Sequence, residues 1–155
     1  MRGGTDGKSG HLATGLAGED AAAAYLESLG LELLERNWRP PASAGRALSL
    51  LELDIVAQEG DILVFAEVKT RSFSPCSDFS PLDAFTRAKR GRLLKAAALY
   101  LEEAGLWRRP CRFDLLCITL YPDHNCKLEH FRNVLSFGTL RRGIVDCGHS
   151  PWQPW

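Results

Sequence analysis

Between residues 51 and 71, two apolar runs each contain ionisable side chains at positions where hydrophobic residues would be expected. Glu52, Asp54, Glu67 and Lys69 stand within two runs of apolar residues that a short glycine-containing turn separates. Two such runs joined by a turn predict a β-hairpin. Because side chains alternate between the two faces of a strand, the four charged residues are expected to share one face of this hairpin.

The pairing of the two strands depends on the length of the turn between them. A four-residue loop over 58–61 places Asp54 opposite Phe65 and Glu52 opposite Glu67. Carboxylates and an ammonium on a half-buried surface are costly to desolvate unless each is paired. This cost indicates a divalent metal ion and a phosphate as the missing partners.

Each of the two predicted helices places one charged residue among apolar ones. At about 100° per residue, Glu19 falls within the apolar arc of the first helix, whereas Asp20 and Glu27 face the other way. Lys89 falls in the middle of the apolar stripe of the second helix. The apolar positions are Leu16, Ala22, Ala23, Leu26 and Leu29 in the first helix, and Leu82, Phe85, Leu93, Ala96 and Tyr100 in the second.

Five of these six charges also have structural explanations. Glu19 can reach water from the edge of its face, and Lys89 can extend its ammonium into solvent along an apolar surface. Asp54, Glu67 and Lys69 can form an ion-pair network. Charged groups that intrude into several apolar faces at once nevertheless favour a functional site, since such sites break the folding pattern.

The elements that position these residues follow one another as α-β-β-β-α-β-β, which predicts an α/β fold with a mixed central sheet. The first helix is predicted from Leu16 to Leu29, with Thr14 as its cap and Gly30 as its end. The second helix is predicted to run from a Ser80 cap to about Ala104. The strands outside the hairpin are predicted at 31–38, 112–120 and 127–135.

The length of 155 residues fits one domain. We predict a flexible N-terminal extension over 1–13, the domain itself over 14–137 and a C-terminal tail over 138–155. The formal net charge is zero, so no global basic field marks the chain as a nucleic-acid binder. Basic residues nevertheless cluster on the second helix, at Arg87, Lys89, Arg90, Arg92 and Lys95.

Cysteine usage and hydropathy predict a cytoplasmic protein with reduced thiols and no membrane partner. The five cysteines include no C-x-x-C pair, and we find neither a signal peptide nor an apolar run of about 18 residues. Cys126 and His130 have a zinc-like spacing but lack a second pair. A satisfied structural role is favoured for His130, and Arg112 and Asp114 share a strand face as a simple ion pair would.

Oxygen ligands of the kind found on the hairpin suit Mg²⁺ or Mn²⁺ beside a phosphate substrate. The candidate ligands are Asp54, Glu67, the backbone carbonyl of Val68, and Glu19 either directly or through water. Lys69 would orient a water and stabilise developing negative charge, and Lys89 would contact a phosphate. The chemistry indicated is the hydrolysis of a phosphodiester.

The ordered set of charged residues resembles the PD-(D/E)XK nuclease signature, with Asp54 followed thirteen positions later by Glu67, then Lys69. The preceding helical Glu19 resembles the arrangement in Holliday-junction resolvases of that superfamily. Most closely, the chain resembles the YraN family of predicted endonucleases between about Gly15 and Phe137. The matching stretches are 15–19 with 22–26, 36–38, 52–54, 65–71, Lys89 with 92–93, 112–114 and 130–133.

This resemblance implies a restriction-endonuclease-like core, with a mixed sheet of about five strands flanked by helices. It assigns catalytic roles to Glu19, Asp54, Glu67 and Lys69, and it matches Lys89 to a helical basic position near the site. We predict nucleic-acid contacts from Lys89, Arg92 and Arg71. Glu52 shares the hairpin face but has no match in the nuclease signature, so we predict only a supporting role for it. The chain departs from the family pattern at Leu51, where glycine is usual. Its approach loop over 40–49 also looks longer than usual.

The sequence and the resemblance together predict a metal-dependent endonuclease, with DNA favoured over RNA and branched or damaged DNA as candidate substrates. The alternative is a nucleic-acid-binding or assembly module that keeps the nuclease fold without turnover. A protein-interaction domain is a third interpretation, which the zero net charge favours. Because resolvase-like relatives are commonly dimers, a homodimer is one of the states that the resemblance allows.

Overall fold

The computed structural model describes residues 6–75 and 80–137. Its two α-helices and five strands follow the predicted order and confirm the α/β class. They are α1 (Asp6–Ser28), β1 (Glu32–Trp38), β2 (Leu53–Glu59), β3 (Ile62–Ser72), α2 (Arg87–Glu103), β4 (Cys111–Leu120) and β5 (Cys126–Leu135). Short 3-10 helices lie at Ala42–Ala44 and Pro81–Ala84. The predicted tail over 138–155 lies outside the described residues.

The five strands form one mixed sheet in the order β1-β2-β3-β4-β5. All neighbouring pairs are antiparallel except β3 and β4, which are parallel. A parallel pair requires a long crossover connection, and α2 provides it. The mixed sheet of five strands flanked by helices is consistent with a restriction-endonuclease-like core and confirms that prediction.

The side chains of β3 point alternately into the two apolar layers of the core, one on each face of the sheet. Leu63 and Phe65 belong to the apolar cluster that α2 covers, whereas Val64, Ala66 and Val68 belong to the cluster that α1 covers. Glu67 and Lys69, which alternate in step with Phe65, therefore lie on the α2 face of the sheet.

The predicted register of the hairpin is wrong by two residues, although the predicted face is right. Glu59 pairs with Ile62, so the loop has two residues instead of four. Gly60 has a φ of 57°, the left-handed conformation that a two-residue hairpin turn needs. Because Ile55 pairs with Ala66, Asp54 comes opposite Glu67 rather than Phe65. The two acids are thus closer than the predicted pairing implied.

The predicted start of the first helix is also wrong, because α1 begins at Asp6 and passes through Thr14 without a break. A threonine only mildly disfavours a helix interior, so the residues before Thr14 continue the helix. Part of the predicted apolar arc is confirmed by the burial of Ala22, Ala23 and Leu26. Leu16 and Leu29 are instead about half exposed, because they lie beyond the part of α1 that packs on the sheet.

The single long helix predicted from Ser80 is divided in two. Ser80 caps the 3-10 helix, and Thr86 then caps α2 by accepting a hydrogen bond from the Lys89 backbone N–H at 3.2 Å. Phe85 lies at the break and is buried in the α2-side core. Leu82 is exposed and does not join the buried stripe of α2. The cap at Thr86 was not predicted from the sequence.

The contact between α1 and β3 depends on the absence of a side chain at Gly18. A β carbon there would lie 1.7 Å from Thr70 Oγ1. We expect Gly18→Ala to lower the free energy of unfolding by about 1–3 kcal/mol, because the helix must move away from the sheet. Gly15→Ala, which meets no atom within 4 Å, is expected to raise it by about 0.5–1 kcal/mol through helix propensity. Urea denaturation of both variants checks this pair, and an equal effect of the two would contradict the packing argument.

Three thiols of the described residues, Cys111, Cys117 and Cys126, are free. Among the residues that the structure describes, none of the helices is long and apolar enough to cross a membrane.

Candidate active site

The charged cluster on the α2 face of the sheet is centred on Glu67, whose side chain is buried. The Nζ atoms of Lys69 and Lys89 each lie 2.8 Å from Glu67 Oε1. Asp54 lies on the neighbouring strand opposite Glu67. We call these four residues the acidic-lysine cluster. The structure thus brings together four of the six charges that the sequence singled out.

Three elements hold this cluster in place. Asp54 is the second residue of β2, and Glu67 and Lys69 occupy alternate positions of β3. Lys89 lies in the first turn of α2, where the Thr86 cap fixes the start of the helix. Lys89, which interrupts the apolar stripe of α2, therefore reaches the buried Glu67 on β3.

Burial and charge repulsion act on Asp54. They raise its pKa from the ordinary 3.8 to about 7, with burial as the larger cause and the Glu67 charge as the next. The backbone N–H of Val68, which donates to Asp54 Oδ2 at 2.8 Å, and the two lysines oppose this rise. Ionised Asp54 is therefore under-compensated in this site.

For Lys69, neighbouring charges together affect the pKa more than burial does. Its burial lowers the pKa, but the charge of Glu67 and the hydrogen bond to it, together with Asp54, outweigh burial and raise the pKa of Lys69. Lys69 is accordingly held as an ammonium. Glu67 Oε2 is buried and makes no hydrogen bond within the described residues.

The raised pKa of Asp54 predicts a pH-dependent stability in metal-free buffer. Between pH 4 and pH 7 the folded state binds more protons than the unfolded state, so stability falls as the pH rises. Asp54→Asn removes this ionisation and keeps an acceptor for the Val68 N–H. We expect the variant to exceed the wild type by on the order of 1–3 kcal/mol at pH 8 and to match it near pH 4. Urea titrations with a chelator at both pH values check this, and a constant difference would contradict it.

Glu19 does not join the acidic-lysine cluster. It lies on α1, which packs on the other face of the sheet, and it accepts a hydrogen bond from Asn37 Nδ2 at 3.1 Å. Among the described residues, no group of three or more His, Cys, Asp or Glu side chains could hold a metal ion. Helical phase placed Glu19 toward the sheet correctly, but it could not tell which face of the sheet the helix covers.

Glu19 nevertheless approaches the site from the side. It lines a cavity of about 460 Å³ at the C-terminal end of β3, and Lys69 and Arg71 line the same cavity. We call this cavity the β3 groove. Glu19 therefore faces the groove that Lys69 also lines.

The remaining predicted site residues lie around this arrangement. Val68 lines the β3 groove, and Arg71 does so while its Nε donates to Thr119 Oγ1 at 3.1 Å. Arg92 is exposed on α2. Glu52 pairs with Arg39 at 2.9 Å near the surface, and the corrected register removes it from the position opposite Glu67.

A second charged network lies on the α1 face of the sheet around the fully buried Asp114. Its carboxylate accepts hydrogen bonds from Arg112 Nε at 3.0 Å, from the Asn133 backbone N–H at 2.9 Å, and lies 2.9 Å from His130 Nε2. These contacts confirm the predicted ion pair and the structural role of His130. Sequence reasoning missed Glu59, which joins the network by bonding both Arg112 and Arg132.

Comparison with known proteins places the chain in a family. The model of the uncharacterised protein family UPF0102 matches residues 18–118, a range that includes Glu19 and the whole acidic-lysine cluster. A UPF0102 protein of Nitratidesulfovibrio vulgaris is 43% identical over 92% of this chain and 96% of its own length. A UPF0102 protein of Lawsonia intracellularis is 39% identical over 91% of this chain and 96% of its own length. The chain therefore belongs to the UPF0102 family, which is also called the YraN family.

Proposed function

We propose that this protein is a metal-dependent endonuclease that hydrolyses phosphodiester bonds in DNA, with branched or damaged DNA as candidate substrates. The observation that carries the proposal is the acidic-lysine cluster, in which two acids on paired strands lie beside two ammoniums, and in which Lys69 also lines the β3 groove. Buried charges of both signs beside a groove are a common feature of catalytic sites.

The donor set fits Mg²⁺ or Mn²⁺. Asp54 and Glu67 would hold the ion, with the Val68 carbonyl as a further oxygen ligand and Glu19 through a water. Glu67 Oε2, which is buried without a hydrogen bond in the described residues, and the raised pKa of Asp54 both indicate carboxylate oxygens that the two lysines leave incompletely compensated. When bound, the ion would polarise a phosphoryl oxygen and acidify a water.

The side chains of the protein then have separate roles. Lys69, held as an ammonium by Glu67, stabilises negative charge that develops on the phosphoryl group and orients the attacking water. Lys89 binds a neighbouring phosphate from the helix side. Arg71 and Arg92 extend the positive surface along which the strand would lie.

Cleavage of a defined panel of DNA tests the proposal. Linear, flapped and four-way DNA are incubated with Mg²⁺ or Mn²⁺ and either wild type, Glu67→Ala or Glu27→Ala, the last an exposed α1 residue. We expect wild type and Glu27→Ala to cut at least one substrate and Glu67→Ala to cut none. An untouched panel, or equal cutting by Glu67→Ala, would refute catalysis at this site.

A second candidate is a nucleic-acid-binding module that keeps the fold without turnover. The two lysines on Glu67 favour it, because they balance the charges of Asp54 and Glu67 without a metal ion. Calorimetric titration with Mg²⁺ and Mn²⁺ separates the two functions. Salt-dependent DNA binding with no metal uptake would support the binding module.

A further inference from the structure

Two aromatic rings stack beside the β3 groove. Phe73 follows the end of β3 and Tyr121 follows the end of β4, and their ring centroids lie 4.8 Å apart at an interplanar angle of 26°. Phe73 is 44% exposed, which is unusual for so large an apolar side chain. Ring surface therefore remains open to solvent beyond the contact with Tyr121.

Backbone hydrogen bonds anchor the main chain at both aromatic residues. The Phe73 N–H donates to the Leu120 carbonyl at 2.7 Å, and the Tyr121 N–H donates to the Asn125 carbonyl at 2.9 Å. A residue whose backbone is already ordered loses less conformational entropy when a ligand stacks on its ring. The anchored main chain and the contact between the two rings therefore favour stacking of a ligand here.

Cations and hydroxyls accompany the aromatic pair. A smaller cavity of about 100 Å³ lies between the rings and the strands, and its lining residues are Arg71, Ser72, Phe73, Ser74, Thr119, Tyr121 and Lys127. Lys127 pairs with Glu129 at 3.0 Å, but its side chain is 58% exposed, and such surface pairs contribute little. A phosphate can therefore compete for its ammonium.

This smaller cavity adjoins the β3 groove. Arg71 and Ser72 line both, and Arg71 lies two residues beyond Lys69 on the same face of β3. Two residues along a strand span about 6.6 Å, which is comparable to the distance between neighbouring phosphates on a nucleic-acid strand. A chain that passes Lys69 with one phosphate can thus present the next to Arg71.

We propose that Phe73, Tyr121, Arg71 and Lys127 form a subsite for an unpaired nucleotide next to the acidic-lysine cluster, so that the protein prefers nucleic acid with a single-stranded segment. This proposal rests on the proposed function for its ligand class. Stacking on an aromatic ring requires a base with an open face, whereas the bases inside a duplex stack on one another. The subsite accordingly selects a single strand, a flap or a junction arm with unpaired bases.

Binding without metal tests this subsite apart from catalysis. Fluorescence anisotropy in chelator measures the Kd of a labelled single-stranded DNA, the matching RNA and a blunt duplex. We expect wild type to bind a single strand more tightly than the duplex, and the DNA and RNA arms to show which sugar is preferred. We expect Phe73→Leu, which keeps an apolar side chain but no ring, to raise the single-strand Kd about tenfold. Phe73→Trp is expected to restore binding to within about twofold of wild type, since it keeps a stacking surface.

Two further variants control the measurement. Trp107→Leu removes a similarly exposed aromatic residue before the start of β4, at the opposite end of that strand from Tyr121, and is expected to leave the Kd unchanged. Lys127→Ala is expected to reduce the slope of log Kd against log salt by about 0.7, the value for one phosphate contact on a single strand.

The outcomes separate this proposal from the proposed function. Equal single-strand binding by wild type and Phe73→Leu, or wild-type preference for the blunt duplex, would overturn the subsite even if DNA is cleaved. Ring-dependent binding of single strands by a protein that cleaves nothing would support the subsite and refute the endonuclease.

Discussion

Lys69→Ala is expected to lower the rate of DNA cleavage by roughly 10²–10³-fold, the loss that follows removal of one preorganised donor to developing negative charge. The reason lies in the position of the Lys69 ammonium, which Glu67 Oε1 holds at 2.8 Å beside the β3 groove. Single-turnover cleavage at saturating protein measures the effect, because it isolates the chemical step from product release.

Lys89→Ala is the matched comparison, since its ammonium lies at the same 2.8 Å from the same oxygen. A phosphate-binding role predicts that this variant weakens substrate binding more than it lowers the maximal rate. Lys95→Ala, on an exposed position of α2, is expected to behave as wild type. Identical losses of maximal rate in the two cluster variants would contradict the separate roles assigned to the lysines.

Asp114→Ala is expected to lower the free energy of unfolding by about 3–5 kcal/mol, the largest stability effect that we predict. The carboxylate is fully buried and receives Arg112, His130 and the Asn133 backbone N–H. Its removal leaves the Arg112 guanidinium, whose side chain is only 12% exposed, with Glu59 as its remaining acidic partner. Urea denaturation followed by circular dichroism measures the loss.

Asp20→Ala is the control for this stability effect. Asp20 also pairs with an arginine, Arg36, at 2.6 Å, but both side chains are substantially exposed. Exposed pairs contribute less than about 1 kcal/mol, so the variant is expected to remain near wild type. If the two aspartates had similar effects, burial would not be the cause of the Asp114 contribution.

The shared face of the charged hairpin residues was predictable, because the alternation of side chains along a strand depends only on local backbone geometry. Asp54, Glu67 and Lys69 share one face in the predicted register and in the observed one, since the two differ by two residues. The inward position of Lys89 was predictable for the same reason, because helical phase depends only on spacing along the chain. The direct contact between Asp54 and the Val68 N–H was not, because it depends on the two-residue turn at Gly60.

The site contacts that could not be predicted from the sequence depend on which surfaces of the protein pack against each other. Helical phase turned Glu19 toward the sheet, but only the packed structure shows that α1 covers the opposite face from the acidic-lysine cluster. Glu59 and Arg132 are 73 residues apart in sequence and meet through the pairing of strands across the sheet. No local pattern encodes such an approach.

The sequence by itself determined the α/β class, the order of the elements, and the strand and helix faces that carry the charged residues. Local backbone geometry and hydrophobic periodicity decide each of these, and both can be counted along the chain. The tertiary structure alone decided the two-residue register, the separation of Glu19 from Glu67, and the meeting of Phe73 with Tyr121. These depend on contacts between distant segments, whose partners are selected when the whole core packs rather than when any one element forms.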